Sequence, residues 1–392
     1  MFRRILTTLI LAIAMAGAAM AQETPPPPAQ TPPVRTPQAP KAKVAPVPPV
    51  AAPHPAPHVY VTPRPYETSE GQATPLTMKI ARNARIAVSS RSVNVHITGI
   101  DGEMLEATAT NSEGPFAVKA QMTGDEDSPK ILIYVPVTVG RRSDSDINLQ
   151  IKLPRYATVE SVESNAGNIE INGIDAPVAV NTNNGQITIV RVASLKASTR
   201  RGEITAREIK GDAVARSLNG DLTFEDIGGA IDAAATNGSL NVRNAAGDLR
   251  ANLTVGDVVA TCVKGRAEVN TVSGSIQLFG VGGDVEAVST SGEVTFAGRI
   301  RADGRYRLKS ISGEIDMHIQ PDAPGFTATL TTWNGEIETL FPLKLDSQAS
   351  GGSTNRRIIG RFGNGGAQLT LDSFSGGVRL AKAKADELKV CK

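Results

Sequence analysis

Eleven glycines, running Gly202, Gly211, Gly220 and onward to Gly292, follow one another at intervals of nine residues without a miss. Glycine fills 37 of 392 positions, so chance does not produce such a run. Each anchored glycine marks a backbone position that needs positive φ or the close approach of another backbone. A short fixed period marks a chain that stacks one structural unit on the next. The anchors extend upstream to Gly167 and Gly185 and, with looser spacing, downstream to Gly313 and Gly335.

The residues between the glycines double the period to eighteen. Two positions after every second glycine stand Ile169, Ile187, Ile204, Leu222, Leu240, Val258, Ile276 and Val294, all β-branched or Leu. After the intervening glycines the same position is thinner, with Ala213, Leu249 and Ala267, and two residues further on stand Ala215, Ala233, Ala251 and Ala287. Apolar residues at alternate positions describe strands with one face buried. Strands of about five residues, turned at glycine and repeated in one register, stack in parallel ~4.8 Å apart. The expected fold is all-β: a glycine-punctuated β-solenoid with eighteen-residue coils, one bulky and one slim wall, and a perimeter near 60 Å. Ser or Thr stands three residues before most main glycines (Ser164, Thr182, Thr199, Ser217, Thr271, Ser289), where its hydroxyl is expected to satisfy turn amides.

Ahead of the repeats, residues 67–155 alternate without the glycine register, as in Val93, Val95, Ile97 and Ile147, Leu149, Ile151. These predict antiparallel strands forming a small cap on the first coil, whose open edge would otherwise pair with other chains. The solenoid is placed at 156–382, and the charged tail at 383–392 is expected to fray.

The N-terminus has the order of a secretory signal: Arg3 and Arg4, an apolar run from Ile5 to Met20, then Ala19-Met20-Ala21 before Gln22. Cleavage is expected after Ala21, leaving no transmembrane anchor. Residues 22–66 read as a linker, because Pro25–Pro65 holds 16 of the 25 prolines, and proline lacks the donor that helices and interior strands require. The chain carries 41 basic and 39 acidic residues, two of the basic ones in the signal segment, so no global field draws in nucleic acid or an anionic membrane.

The lead-in Ile151-Lys152-Leu153-Pro154, units of the form Ser-x-x-Gly-x-Ile-x-Ile, and the closing run from Ile359 to Leu371 carry a resemblance. From near residue 76 to 382 the chain resembles the bacterial putative-adhesin family of β-strand-repeat domains, a domain of unknown function common in exported or envelope-anchored proteins. The resemblance implies a β-solenoid with a surface-binding role and supplies no catalytic residue.

Residue chemistry points the same way. The position after the main glycine holds Glu203, Asp221, Asp257 and Glu293 but also Asn168, Gln186, Ser239 and Ser275, which suits a polar turn position better than the paired carboxylates of a glycosidase. His96 and His318 lie a whole solenoid apart, and Trp333, the one tryptophan, suggests no stacked sugar platform. Gly228-Gly229 and Gly282-Gly283 lack the Gly-x-Asp that follows in calcium-binding repeats, and there is no phosphate loop. No enzyme activity, cofactor or metal is expected. The candidate binding face is the outward position three after the main glycine: Thr188, Thr205, Thr223, Asn241, Gln277 and Thr295. Its partner would be an envelope component of the periplasm or cell surface: a glycan, a cell-wall polymer or a protein. A regulatory or scaffold module binding another protein uses the same surface, and a polysaccharide-active β-helix enzyme is the remaining alternative. Cys262 and Cys391 are too few for a disulfide framework and are not expected to form an essential staple.

If the bulky column is internal, Ile276→Asp places an unpaired charge in it. The expected loss is about 3 kcal/mol or more, read from urea unfolding, whereas an unchanged midpoint would put Ile276 outside the core.

Overall fold

The computed structural model describes residues 75–112, 114–124, 128–136, 147–345 and 356–391. The signal segment and proline-rich arm expected at 1–66 lie outside them. The described chain is almost entirely strand, gathered into one hydrogen-bonded sheet that winds as a β-solenoid. Each strand after a main glycine pairs in parallel with its counterpart one coil away. Leu222 faces Ile204 on one side and Leu240 on the other, and the register continues through Val258, Ile276 and Val294. These six side chains are at most 1% exposed and form the predicted internal column. The slim wall repeats the arrangement, with Ala215, Ala233 and Ala251 in register and fully buried. Both walls feed one continuous hydrophobic core.

The two glycine columns serve different ends. At the main corner, Gly220 adopts φ +145°, and a Cβ there would be driven into the carbonyl of Gly202 one coil below. At the opposite corner, Gly247 has an ordinary φ, yet a Cβ would strike the backbone of Gly229, to whose carbonyl the Gly247 N–H donates at 3.1 Å. The Ser/Thr column also differs from expectation. From Ser217 on, its hydroxyls donate to glycine carbonyls instead of accepting from turn amides, as with Ser289 to Gly274 at 3.0 Å, Ser310 to Gly292 at 3.0 Å and Thr332 to Gly376 at 2.8 Å, whereas Ser164 and Thr182 donate to Ala166 O and Asn184 O. The reason is geometric, because the corner leaves a carbonyl facing the coil above it.

A third corner carries no sequence signal as simple as glycine. Six residues after the main glycine, Arg191, Glu208, Asp226, Asn244 and Cys262 all take φ between 54° and 61°. This left-handed bulge turns the chain so that Ile209, Ile227, Ala245 and Val263, one residue on, re-enter the core. Asp226 and Asn244 suit it because a short polar side chain tolerates the left-handed region, while Arg191, Glu208 and Cys262 adopt it without that advantage. Asn244 donates to Asp226 at 2.9 Å and Arg191 to Asn172 at 2.8 Å across adjacent coils.

Both ends depart from sequence order. The strand Arg85–Ile100 lies inside the stack, parallel to Ile147–Pro154 on one side and to the coil beginning at Thr158 on the other. Val93, Val95 and Ile97 therefore face Ile147, Leu149 and Ile151 in parallel, not antiparallel, register. Alternation reports which face is buried and is silent on strand direction. An antiparallel cap is present, built instead from Leu76–Lys79, Met104–Asn111, Gly114–Phe116 and Lys119–Thr123. At the far end, the coil of Ala367–Ser375 and Val378–Lys382 slots between that of Arg305–Ile319 and that of Phe326–Thr339. Gly376 thus sits on Gly313, and Gly335 on Gly376. The antiparallel strand Arg356–Phe362 closes the second wall.

The tail does not fray through Cys391. Ala383 N–H donates to Ile319 O at 2.8 Å, Glu387 pairs with His318 at 3.0 Å, and Cys391 is disulfide-bonded to Cys262 with their Cα atoms 5.3 Å apart. Gly280 and Gly298 occupy the third-corner position in the two coils that the tail passes, and a Cβ on Gly280 would meet the Cys391 sulfur. The pairing of Cys262 with Cys391, which the sequence left open, is therefore made. Closing a loop of 129 residues removes conformational entropy from the unfolded chain. Cys391→Ser is expected to lower stability by about 2–4 kcal/mol in urea unfolding, and an unchanged free energy would show that the strap adds nothing.

Candidate binding faces

The outward position three after the main glycine forms a ladder in continuous register along the bulky wall. Thr188 faces Thr205, Thr205 faces Thr223, Thr223 faces Asn241, and Gln277 faces Thr295, each pair in adjacent strands. Val259 stands between Asn241 and Gln277 and interrupts the polar run. Asn241 is exposed and the others are half-buried, as expected of side chains standing on a flat sheet. The ladder becomes charged at both ends. Upstream, Glu170 follows Thr188 and pairs with His96 at 3.1 Å. Downstream come Asp316, Arg379 and Glu338. Burial raises the Asp316 carboxyl above the usual range, and the nearby His318 and Arg379 oppose that effect. Two residues along the same strands, Arg207 and Arg243 flank Glu225 at 3.1 and 3.5 Å, so the neighbouring column is tied up in exposed ion pairs.

The carboxylates after the main glycines have structural work. Asp221 accepts from Ser239 N–H at 2.7 Å, Asp257 from Ser275 N–H at 2.7 Å, and Asn168 from Gln186 N–H at 3.0 Å. The slim wall repeats the device, with Asp212 and Asp248 accepting at 2.8 Å from Ala230 and Arg266 N–H. These groups bind one coil to the next. His96 and His318 each hold a single glutamate, Glu170 and Glu387, and no serine joins either pair. Among the described residues, no cluster of three or more His, Cys, Asp or Glu could hold a metal ion. No helix among them is long and apolar enough to cross a membrane.

One aromatic contact has no counterpart in the sequence reading. Trp333 stacks on Phe374 with ring centroids 6.0 Å apart and planes 11° off parallel, and both rings are about half exposed, at 46% and 54%. The pair forms because the coil containing Phe374 is inserted beside the coil containing Trp333. Both residues stand two positions before a corner glycine, Gly376 and Gly335. That shared register puts both rings at one height on the wall, but the out-of-order insertion of the second coil is what makes them neighbours.

Comparison with known proteins places the chain. The family described as Toastrack DUF4097 matches residues 83–381. Among solved structures, a "putative cell adhesion protein" from Clostridium sporogenes aligns with 80% of this chain and 100% of its own, at 8% identity and a TM-score of 0.19. A "putative adhesin" from Bacteroides fragilis covers 63% and 96%, at 14% identity and a TM-score of 0.29. A "putative lipid binding protein" from Parabacteroides distasonis covers 80% and 98%, at 13% identity and a TM-score of 0.20. No curated protein matches. The glycine-cornered parallel solenoid and a match spanning most of the sequence make this chain a member of the Toastrack DUF4097 family.

Proposed function

We propose that this protein is a non-catalytic, exported binding protein of the cell envelope or surface, and that its partner lies along the threonine ladder of the bulky wall. The observation that carries this reading is the register: Thr188, Thr205 and Thr223 present one hydroxyl per coil at a constant strand spacing, about 4.8 Å. An extended partner, such as a glycan chain, a cell-wall polymer or a strand of another protein, can repeat one weak contact at each step, and the contacts reinforce one another through effective concentration. Asp221 and Asp257, two of the carboxylates that a polysaccharide-cleaving enzyme could draw on, are engaged in coil-to-coil hydrogen bonds, which favours binding over turnover.

Export is supported by two observations. The N-terminal residues have the order of a signal peptide cleaved after Ala21. The Cys262–Cys391 bond belongs to an oxidising compartment. The proline-rich 22–66 segment would then hold the solenoid away from its attachment point.

Replacing Thr205 and Thr223 together by Lys places two like charges on adjacent rungs of the ladder. The double variant is expected to lose at least about tenfold in retention of the envelope glycan or polymer that the wild-type protein binds, with its unfolding midpoint nearly unchanged. Hydrolysis of that polymer by the wild-type protein, abolished by changing one Asp or Glu, would replace this reading with an enzymatic one.

A further inference from the structure

We infer a second binding surface, distinct from the threonine ladder: a flat tray on the outer face of the slim wall at its C-terminal end, shaped for an acidic polysaccharide. Four adjacent strands make its floor and rims: Arg305–Ser312, Ala367–Ser375, Phe326–Asn334 and Arg356–Phe362. Alternate residues of each strand point outward, so register alone determines what meets a ligand.

One rim is basic through Arg305, Arg307 and Lys309. The opposite rim, three strand spacings or about 14 Å away, is basic through Arg357 and Arg361, with Lys344 facing Arg361 beyond it. Between the rims the floor is hydroxylated, with Thr370 facing Thr329 and both of these lying between Arg307 and Ile359. Asp372, beside Thr331, is the single carboxylate among the described outward residues of these four strands. Arg305 and Arg307 reach back to Asp284 and Glu286 of the preceding coil at 3.6 and 3.5 Å. These are exposed pairs that a bound carboxylate can exchange at little cost.

The third side is apolar. Ile311, Phe374 and Trp333 occupy the same outward position in three successive strands and are about half exposed. The stacked Trp333 and Phe374 rings leave about half of their aromatic surface exposed beside a polar floor.

This combination selects its ligand. A sugar ring has an apolar C–H face that packs on an aromatic ring and a hydroxylated rim that hydrogen-bonds to threonine. Carboxylates spaced along the chain meet guanidinium groups, which bind them bidentately. A bilayer surface would call for an apolar floor, and this floor is threonine. The near-equal charge of the whole chain hides the tray, because the imbalance is local to these strands.

Trp333 is the only tryptophan in the sequence, so its fluorescence reports on this surface alone. The disulfide-bonded protein is titrated separately with polygalacturonate, neutral amylose, phosphatidylglycerol vesicles and oligothymidylate. A saturable fluorescence change with polygalacturonate is expected, weakening as salt is raised, with an affinity at least about tenfold above that for each other probe. Arg307→Ala with Arg357→Ala should weaken it by about tenfold or more while the unfolding midpoint holds. The inference is overturned if polygalacturonate produces no change, if amylose, vesicles or oligothymidylate bind as well or better, or if the arginine double variant binds as the wild type does.

Discussion

The approach of one coil to the next at the main glycine corner is the constraint on which everything else depends. Parallel strands stack at a fixed spacing only if the turns between them stack as closely as the strands do. At Gly202, Gly220, Gly238 and their counterparts the carbonyl of each coil occupies the space that a Cβ of the next would need. That crowding has a use, since it brings the same carbonyl within reach of the Ser/Thr hydroxyl of the following coil, as with Ser289 on Gly274. Where the column holds Ala235 and Leu253, the hydroxyl is replaced by buried apolar surface, and the stack continues without that hydrogen bond.

Much of this architecture was legible in the sequence because it is periodic. The eighteen-residue unit, the internal column through Leu240 and Ile276, and the alanine-lined second wall all follow from residues whose neighbours in space are their counterparts one period away. The illegible parts are those where period and space part company. The Arg85–Ile100 strand and the coil of residues 367–382 are each inserted out of chain order, so their neighbours are set by long loops and not by repeat spacing. The left-handed corner escaped notice because Arg191, Glu208, Asp226, Asn244 and Cys262 share a backbone conformation and no side-chain type. The candidate ladder was legible in position, although Val259 breaks its chemistry. The stacked Trp333–Phe374 pair was not, because it depends on the inserted coil.

The two ends solve one problem in related ways. A solenoid cut off bluntly would expose strand edges that recruit other chains. Here each end carries a coil threaded out of order and an antiparallel strand laid on the outermost edge, Met104–Asn111 at one end and Arg356–Phe362 at the other. The tail then runs back along the bulky wall to Cys262, tying the last coils to the middle of the stack. Such a body holds its outward side chains at fixed intervals, and repeated recognition of an extended partner requires that rigidity. The coil threaded in at the C-terminal end also sets unlike outward residues side by side, as with Arg307, Thr370 and Thr329.

The central claim is that coil-to-coil crowding at glycine, beyond the positive φ itself, holds the stack in register. Gly256 and Gly102 separate the two effects. Both have positive φ, +144° and +127°, but a Cβ at Gly256 would strike the Gly238 carbonyl, and one at Gly102 would meet nothing within 4 Å. Urea unfolding of Gly256→Ala and Gly102→Ala measures the difference. The account predicts a loss of about 1 kcal/mol at Gly102 and about 3 kcal/mol or more at Gly256. Equal losses at the two positions would contradict it.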